Sequence, residues 1–195
     1  MKTYRIPFLH EQAFQWYTSF SPLGEIVERP NPTSALSILS KLVDHLIEHC
    51  TWSPAQIHLF GFAQGGSVAA EFGVTWWKSE LEQIAKAKQG DPRSLGSIVT
   101  VSGPLLSYPT LSKLNKTPML VYHRPETSES SLSTSAITAF KKAFEDVNEV
   151  KMKDKRVEGM PSSKDEWEPI MRLWSERLGR RQMEELYEVM RGGLA

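Results

Sequence analysis

"HLFGFAQGGSVAAEFG", His58 to Gly73, decides how the rest of the chain is read. A short apolar run comes first. A turn bracketed by Gly61 and Gly65 follows, and then a run of small residues. That order is a strand, a tight turn and a helix. The residue between the glycines sits in a strained turn, and its neighbours must be small because strand and helix nearly touch there. Gly61 and Gly65 are expected to provide the clearance, while Ala69 and Ala70 let the helix pack on the sheet. By themselves these glycines fit any tight strand-to-helix turn.

Outward from this stretch the pattern alternates. "ALSILSKLVDHLIEHC" returns Leu36, Leu39, Val43, Leu46 or Ile47, and Cys50 to one face every three or four residues, the signature of an amphipathic helix. Thr33 or Ser34 is its expected N-cap. Ile57 to Phe60 form a strand, and Gly65 to about Lys78 a helix. "LGSIVTVSG" and "TPMLVYH" are apolar strands of the kind found at the centre of a parallel sheet. "TSAITAFKKAFEDV" is amphipathic, with Ile137, Phe140 and Phe144 on one face. "EVKMKDKRVEG" alternates imperfectly, as an edge strand does. "SKDEWEPIMRLWSERLGRRQMEELYEVMRG" is mostly helical, with a stripe of Trp167, Ile170 or Met171, and Trp174. Pro169 is tolerated if this helix begins near Asp165 or Glu166. The order α-β-α-β-β-α-β-α predicts an α/β fold: a mostly parallel sheet with helices on both faces.

Composition narrows the function classes. The chain has 195 residues, enough for one domain, with 40% hydrophobic and 24% charged residues. Lys+Arg and Asp+Glu are both 23, so bulk charge points to no nucleic-acid or anionic-membrane partner. One cysteine, Cys50, permits no internal disulfide and no cysteine-based metal site. No apolar run reaches the roughly 20 residues of a membrane span. "MKTYRIPFLHEQ" lacks the apolar core of a signal peptide. The expected address is cytoplasmic, with no cofactor and no metal.

A strand, G-x-x-x-G and a helix is the setting of a nucleophile elbow, whose usual form is G-x-S-x-G. Here the middle residue of Gly61-Phe62-Ala63-Gln64-Gly65 carries a methyl group. The backbone N–H of the following residue, Gln64, is where an elbow places an oxyanion donor. "GFAQGG" resembles the "GFSQGG" elbow of the acyl-protein thioesterase and carboxylesterase (phospholipase/carboxylesterase) family of α/β-hydrolases. Other segments follow in the family's order. "QWYTSF" is similar to its Trp-Phe-Asp segment, "TVSGPLL" to its "LSG-x-LP" strand end, "TPMLVYHRPETSESS" to its strand ending in "HG-x-x-D", and "RVEGMPSS" to its "Y-x-G-M-x-H". The resemblance runs from about Gln15 to Leu178.

It implies a Ser, Asp and His in that order along the chain. Those positions hold Ala63, Thr127 and Ser162. The five histidines are His10, His45, His49, His58 and His123, so none follows His123 toward the C-terminus, where the family keeps its general base. A methyl in place of Oγ removes covalent catalysis. Ser67, one turn into the elbow helix, reads as a helix-start hydroxyl. Phe62, Ser102 and His123 stand at strand ends where α/β ligands bind, as possible pocket residues. Ser102 has no evident base and reads as a pocket wall or a turn, and His123 reads as a packed or hydrogen-bonded histidine ahead of a pocket residue. His45 and His49 are one turn apart, a metal-capable spacing, yet with no third ligand they read as an exposed face. Of Trp76 and Trp77, one is expected in the core and the other at a groove or partner.

The family also has strands before its Trp-Phe-Asp segment, among them the "FLHGxGD" strand that completes the oxyanion hole. In the register set by Trp16, this chain is expected to lack them, leaving a sheet edge that a partner would cover. "PFLHE" (Pro7 to Glu11) echoes that strand with Glu11 in place of glycine. The expected arrangement is one α/β-hydrolase-like domain, N-terminally incomplete, with a helical extension over 179–195. The expected function is a catalytically inactive homologue that binds an acyl or lipid-like ligand, or a protein at the open edge. The alternative is an esterase or thioesterase with a non-standard residue set.

Overall fold

The computed structural model describes residues 3–4, 13–124, 131–152 and 159–177. The chain divides into two compact units, Met1–Glu158 and Gly159–Ala195. The first begins with a two-residue antiparallel pair that the sequence pattern did not announce, β1 (Thr3–Tyr4) and β2 (Ala13–Phe14). Helix α1 (Thr33–Glu48) follows. Its N-cap is Pro32, not Thr33 or Ser34, and no N-cap side chain closes the end. Instead Asn31 Oδ1 accepts the Thr33 N–H at 2.9 Å. Leu36, Leu39, Val43, Leu46 and Ile47 face the core as the periodicity requires. Cys50 lies past the helix end and is exposed.

After a 3-10 turn (Pro54–Gln56), the β-α units build the sheet: β3 (His58–Phe62), α2 (Gln64–Ala87), β4 (Ser97–Val101), β5 (Met119–His123), α3 (Thr134–Ala143) and β6 (Val147–Lys151). The order β3-β4-β5-β6 is parallel throughout. All residues of β4 and β5 are buried, so both faces of the central strands are covered. Helix α2 runs nine residues past the expected Lys78, to Ala87, where Lys88 in left-handed backbone (φ 55°) ends it. Trp76 and Trp77 are both buried. Their indole N–H groups reach the carbonyls of Arg93 and Lys113, each at 2.9 Å; Trp77 is fully buried, while Trp76 also lines a cavity of about 360 Å³ beside Arg93.

A fully buried polar staple holds helix to sheet. The Asn115 side-chain amide donates to the Gly73 carbonyl at 2.9 Å and accepts the Thr117 N–H at 2.9 Å, and Thr117 Oγ1 accepts the Leu95 N–H at 3.1 Å. The buried Asn115 amide and Thr117 hydroxyl are each hydrogen-bonded, as burial of a polar group requires. The second unit, over its described residues, is one helix, α4, spanning 164–177. It starts at Lys164, one residue ahead of the earliest expected start, and Pro169 therefore stands in its second turn. The 179–195 extension lies outside the described residues.

Candidate functional site

Strand register fixes the site. Phe62 is level with Val101, and Val101 with Tyr122. One step further, the Ala63 N–H donates to the Val101 carbonyl and the Ser102 N–H to the Tyr122 carbonyl, both at 2.8 Å. Ala63, Ser102 and His123 therefore stand in one row across three strands at the carboxyl end of the sheet, the end where open α/β folds take ligands. Adjacent strands lie about 4.8 Å apart, which sets Ala63 and His123 about 10 Å apart by backbone.

Two members of that row are strained. Ala63 has φ 48°, ψ −117°, and Ser102 has φ 56°. Non-glycine residues hold such backbone only when the surroundings impose it. At Ala63 the imposing groups are glycines. A Cβ on Gly61 would overlap the backbone of Gly65 and Gly66. A Cβ on Gly103 would lie 2.5 Å from both the Ala63 carbonyl oxygen and the Ser67 nitrogen. One on Gly66 would run into Thr100 Oγ1. Gly65 itself is less constrained: its added Cβ would meet only Trp16 Nε1, at 3.5 Å. The tight packing thus falls on Gly61, Gly66 and Gly103, and Gly65 matters through its backbone.

Gln64 begins α2, so its N–H belongs to the group of first-turn donors that have no partner within a helix. Its side chain reaches the other way. Gln64 Oε1 accepts the Trp16 N–H at 3.0 Å, and its amide donates to Ser19 Oγ at 2.7 Å. The "QWYTSF" segment is thereby tied beside the elbow. Behind the elbow lies a polar group that sequence reasoning missed. Ser67 is fully buried, and its Oγ makes no hydrogen bond of good geometry. Tyr17 lies against Ser67 and Glu71; burial, with the Glu71 charge added, pushes its phenol pKa up despite the Ser67 hydroxyl. Glu71 accepts the Leu106 and Ser107 N–H groups at 2.7 Å each and the Ser107 hydroxyl at 2.8 Å. A carboxylate inside the apolar run "SVAAEFGV" is the sequence signal for this clasp, because a buried charge needs several donors.

His123 is 1% exposed and engaged at both ring nitrogens. Nε2 lies 3.2 Å from Glu149 Oε1, and Nδ1 lies 3.1 Å from the Arg124 carbonyl and 3.5 Å from the Leu132 nitrogen. Its Nε2–H donates to the carboxylate. Burial alone would raise the Glu149 pKa. The His123 hydrogen bond and the charges of Lys141 and Lys151 outweigh that and hold it below the usual carboxylate range. Phe62 and Ser102 are half-buried at the strand ends, and the Ser102 hydroxyl, itself enclosed, has no hydrogen-bond partner among the described residues.

Thr127 lies outside the described residues. Ser162 is described, in the second unit. Glu166 Oε2 accepts the N–H groups of Ser162 and Ser163 at 2.6 and 3.3 Å, and Ser163 Oγ accepts the Glu166 N–H at 3.3 Å. That reciprocal arrangement is a capping box at the start of α4. The His45 and His49 rings lie 4.8 Å apart, tilted by 41°, on an exposed face at the end of α1. Among the described residues no group of three or more metal-ligating side chains comes together. No described helix is long and apolar enough to cross a membrane.

No family model matches the sequence. A curated protein of Mycosarcoma maydis, named an uncharacterized hydrolase, is 30% identical over 171 residues, covering 88% of this chain and 60% of its own. The chain thus spans about three-fifths of the length of the curated relative it matches. Arabidopsis thaliana SOBER1 superposes with a TM-score of 0.57 at 19% identity, over 86% of this chain and 76% of that one. YahD, solved with malic acid, gives 0.50 at 12% identity, over 86% and 72%. At these identities the structural likeness is one of fold, the α/β-hydrolase fold. The chain thus has the α/β-hydrolase fold and a relative named a hydrolase, with alanine where the nucleophile elbow otherwise carries serine.

Proposed function

We propose that this chain binds an acyl-like ligand at the carboxyl end of the sheet, beside the elbow, and does not hydrolyse it. One observation carries the reading: Ala63 occupies an elbow whose strained backbone is intact, so a methyl group stands where a nucleophile would. The state of the histidine supports it. His123 is the last histidine in the chain, and both of its nitrogens are engaged at a buried position. A general base needs a nitrogen within hydrogen-bond reach of the group it deprotonates. The ligand class rests on the half-buried apolar side chains of Phe62, Leu105 and Leu106 near the elbow and on the Gln64 N–H as a donor for a carbonyl oxygen. The absence of a nucleic-acid partner, a cytoplasmic address and the lack of a cofactor belong to the same proposal.

Incubation with p-nitrophenyl esters and a fluorophosphonate probe tests this reading. The expected result is ester cleavage no faster than buffer and no covalent label. Turnover and labelling that both disappear in Ser102→Ala or Ser67→Ala would establish the other reading, hydrolysis by a non-standard residue set. Ser102 is the observation in its favour, as a strained residue beside Ala63 whose hydroxyl lacks a partner.

A further inference from the structure

Helices α1 and α2 border a cavity of about 360 Å³ that plays no part in the elbow. Its α2 residues run from Phe72 to Gln83, which places it about 12 Å or more along that helix from Gln64. Asp44 and Glu48, one helical turn apart, line its α1 side, and Glu80 its α2 side. Phe72 and Trp76, both buried, supply its aromatic wall, with ring centres 6.5 Å apart. Arg93 lines it too. Its Nη2 lies 2.7 Å from Glu80 Oε1, its Nε 3.0 Å from Oε2, and its guanidinium carbon 5.8 Å from the centre of the Trp76 ring.

Glu80 and Arg93 neutralise each other through that bidentate contact. Asp44 and Glu48 are exposed at the cavity, and their side chains make no hydrogen bond or ion pair among the described residues. Two carboxylates therefore line the cavity with no cation of the chain against them. Like charges one turn apart on a helix repel, so a bound cation relieves that repulsion as well as gaining its own attraction. The rest of the wall separates an organic cation from a metal ion. Among the described residues no group of three or more metal-ligating side chains comes together, whereas hard divalent cations need a shell of several oxygens. Aromatic rings attract ammonium and guanidinium groups through their faces, and the Trp76 ring already carries the Arg93 guanidinium within that range. We propose that this cavity binds a small organic ammonium ion, with Asp44 and Glu48 as its counter-charges and Phe72 and Trp76 packing its carbon atoms. The cavity is separate from the elbow, so the proposal stands whether or not an acyl ligand binds there.

The test follows the indole N–H resonances of the full chain by NMR during separate titrations with n-butylammonium chloride and tetramethylammonium chloride. Sodium chloride and magnesium chloride at matched ionic strength are the references. The expected result is a saturable shift of the Trp76 indole N–H, which donates to the Arg93 carbonyl at 2.9 Å, with a Kd on the order of 1 mM. In the double variant Asp44→Asn/Glu48→Gln the affinity should fall by about tenfold or more. Both substitutions keep the side-chain shape, sit at exposed positions and remove a repulsion, so the variant should melt no lower than the parent. Tighter binding of butylammonium assigns the site to primary amines, whose N–H groups can hydrogen-bond the carboxylates, and the reverse order assigns it to quaternary ammonium groups. No saturable shift, the same shift with either inorganic salt, or an unchanged affinity in the folded double variant would overturn the proposal.

Discussion

The elbow and the end of β5 lie in one row of the sheet, two strands apart, and they keep different things. At the elbow the backbone persists and the reactive atom is missing: Ala63 still holds φ 48°, ψ −117° with no hydroxyl to present. At the end of β5 a reactive side chain persists and its freedom is missing, since His123 is buried between Glu149 and the Arg124 carbonyl. The difference lies in what each position is packed against. The elbow conformation is enforced by Gly61, Gly66 and Gly103, which do not depend on the side chain at position 63. The histidine is placed by its own hydrogen bonds, so it is available only to the partners that fix it. Backbone strain can therefore outlast chemistry, whereas a bound side chain is committed to its bonds.

The most severe way to break this comparison is Gly61→Ala. Its Cβ would overlap main-chain atoms of Gly65 and Gly66, which cannot rotate away as a side chain can. The expected loss is about 4 kcal/mol in urea unfolding, or failure to fold. Gly65→Ala, whose Cβ meets only Trp16 Nε1, should cost less than about 1 kcal/mol. Equal losses at the two glycines would refute the claim that helix–strand contact at Gly61 enforces the elbow.

Next in size is Glu71→Ala. It leaves the Leu106 and Ser107 N–H groups and the Ser107 hydroxyl without their acceptor. A cost of about 2–3 kcal/mol is expected, with faster amide exchange at residues 106 and 107 than at β4. A loss of stability without faster exchange there would mean that Glu71 supports the helix and does not hold the loop.

Much of this was legible in the sequence, and the legible part has a common cause. β4, β5, α3 and the core stripe of α1 follow from apolar periodicity, which reports burial directly. The elbow was readable because a close helix–strand approach demands small residues over a short span. What escaped depends on partners distant in sequence. Glu71 meets Ser107 and Gln64 meets Ser19, pairings that no local pattern reveals. The extra turns of α2 were missed because "SELEQIAKA" is polar enough to read as a helix end, although the Glu80 side chain is buried and bonded to the exposed Arg93. The assignment of clearance to Gly65 came from treating both elbow glycines alike; only coordinates distinguish a glycine whose Cβ would strike backbone from one facing an open side.

Glu80 offers a smaller test, through pH. Burial raises its pKa, but hydrogen bonds from the Arg93 side chain and N–H outweigh burial and hold the carboxyl below its usual value. A depressed folded-state pKa gives stability that is present above the unfolded value and lost as pH falls through the folded one. Glu80→Gln should therefore be less stable than the parent by about 1–2 kcal/mol at neutral pH. The gap should close on acidification below the ordinary glutamate range. A gap that stays constant down to acid would show that packing, and not charge, makes the difference.

The smallest expected effect belongs to position 63 itself. Ala63→Gly removes the cost of left-handed backbone and should stabilise the chain by about 1 kcal/mol or less, because glycine also gains freedom when unfolded. Ala63→Ser keeps the strain and should change stability by less than about 0.5 kcal/mol. It puts an Oγ back on the elbow, next to the Gln64 N–H. Turnover of p-nitrophenyl esters should nevertheless stay at background, because His123, the last histidine in the chain, sits two strands away with both nitrogens engaged. An unactivated serine is a weak nucleophile at neutral pH. If Ala63→Ser alone produced a fluorophosphonate-reactive enzyme, His123 or another base would have to be freer than its bonds imply, and the contrast between elbow and histidine would collapse into a single missing oxygen.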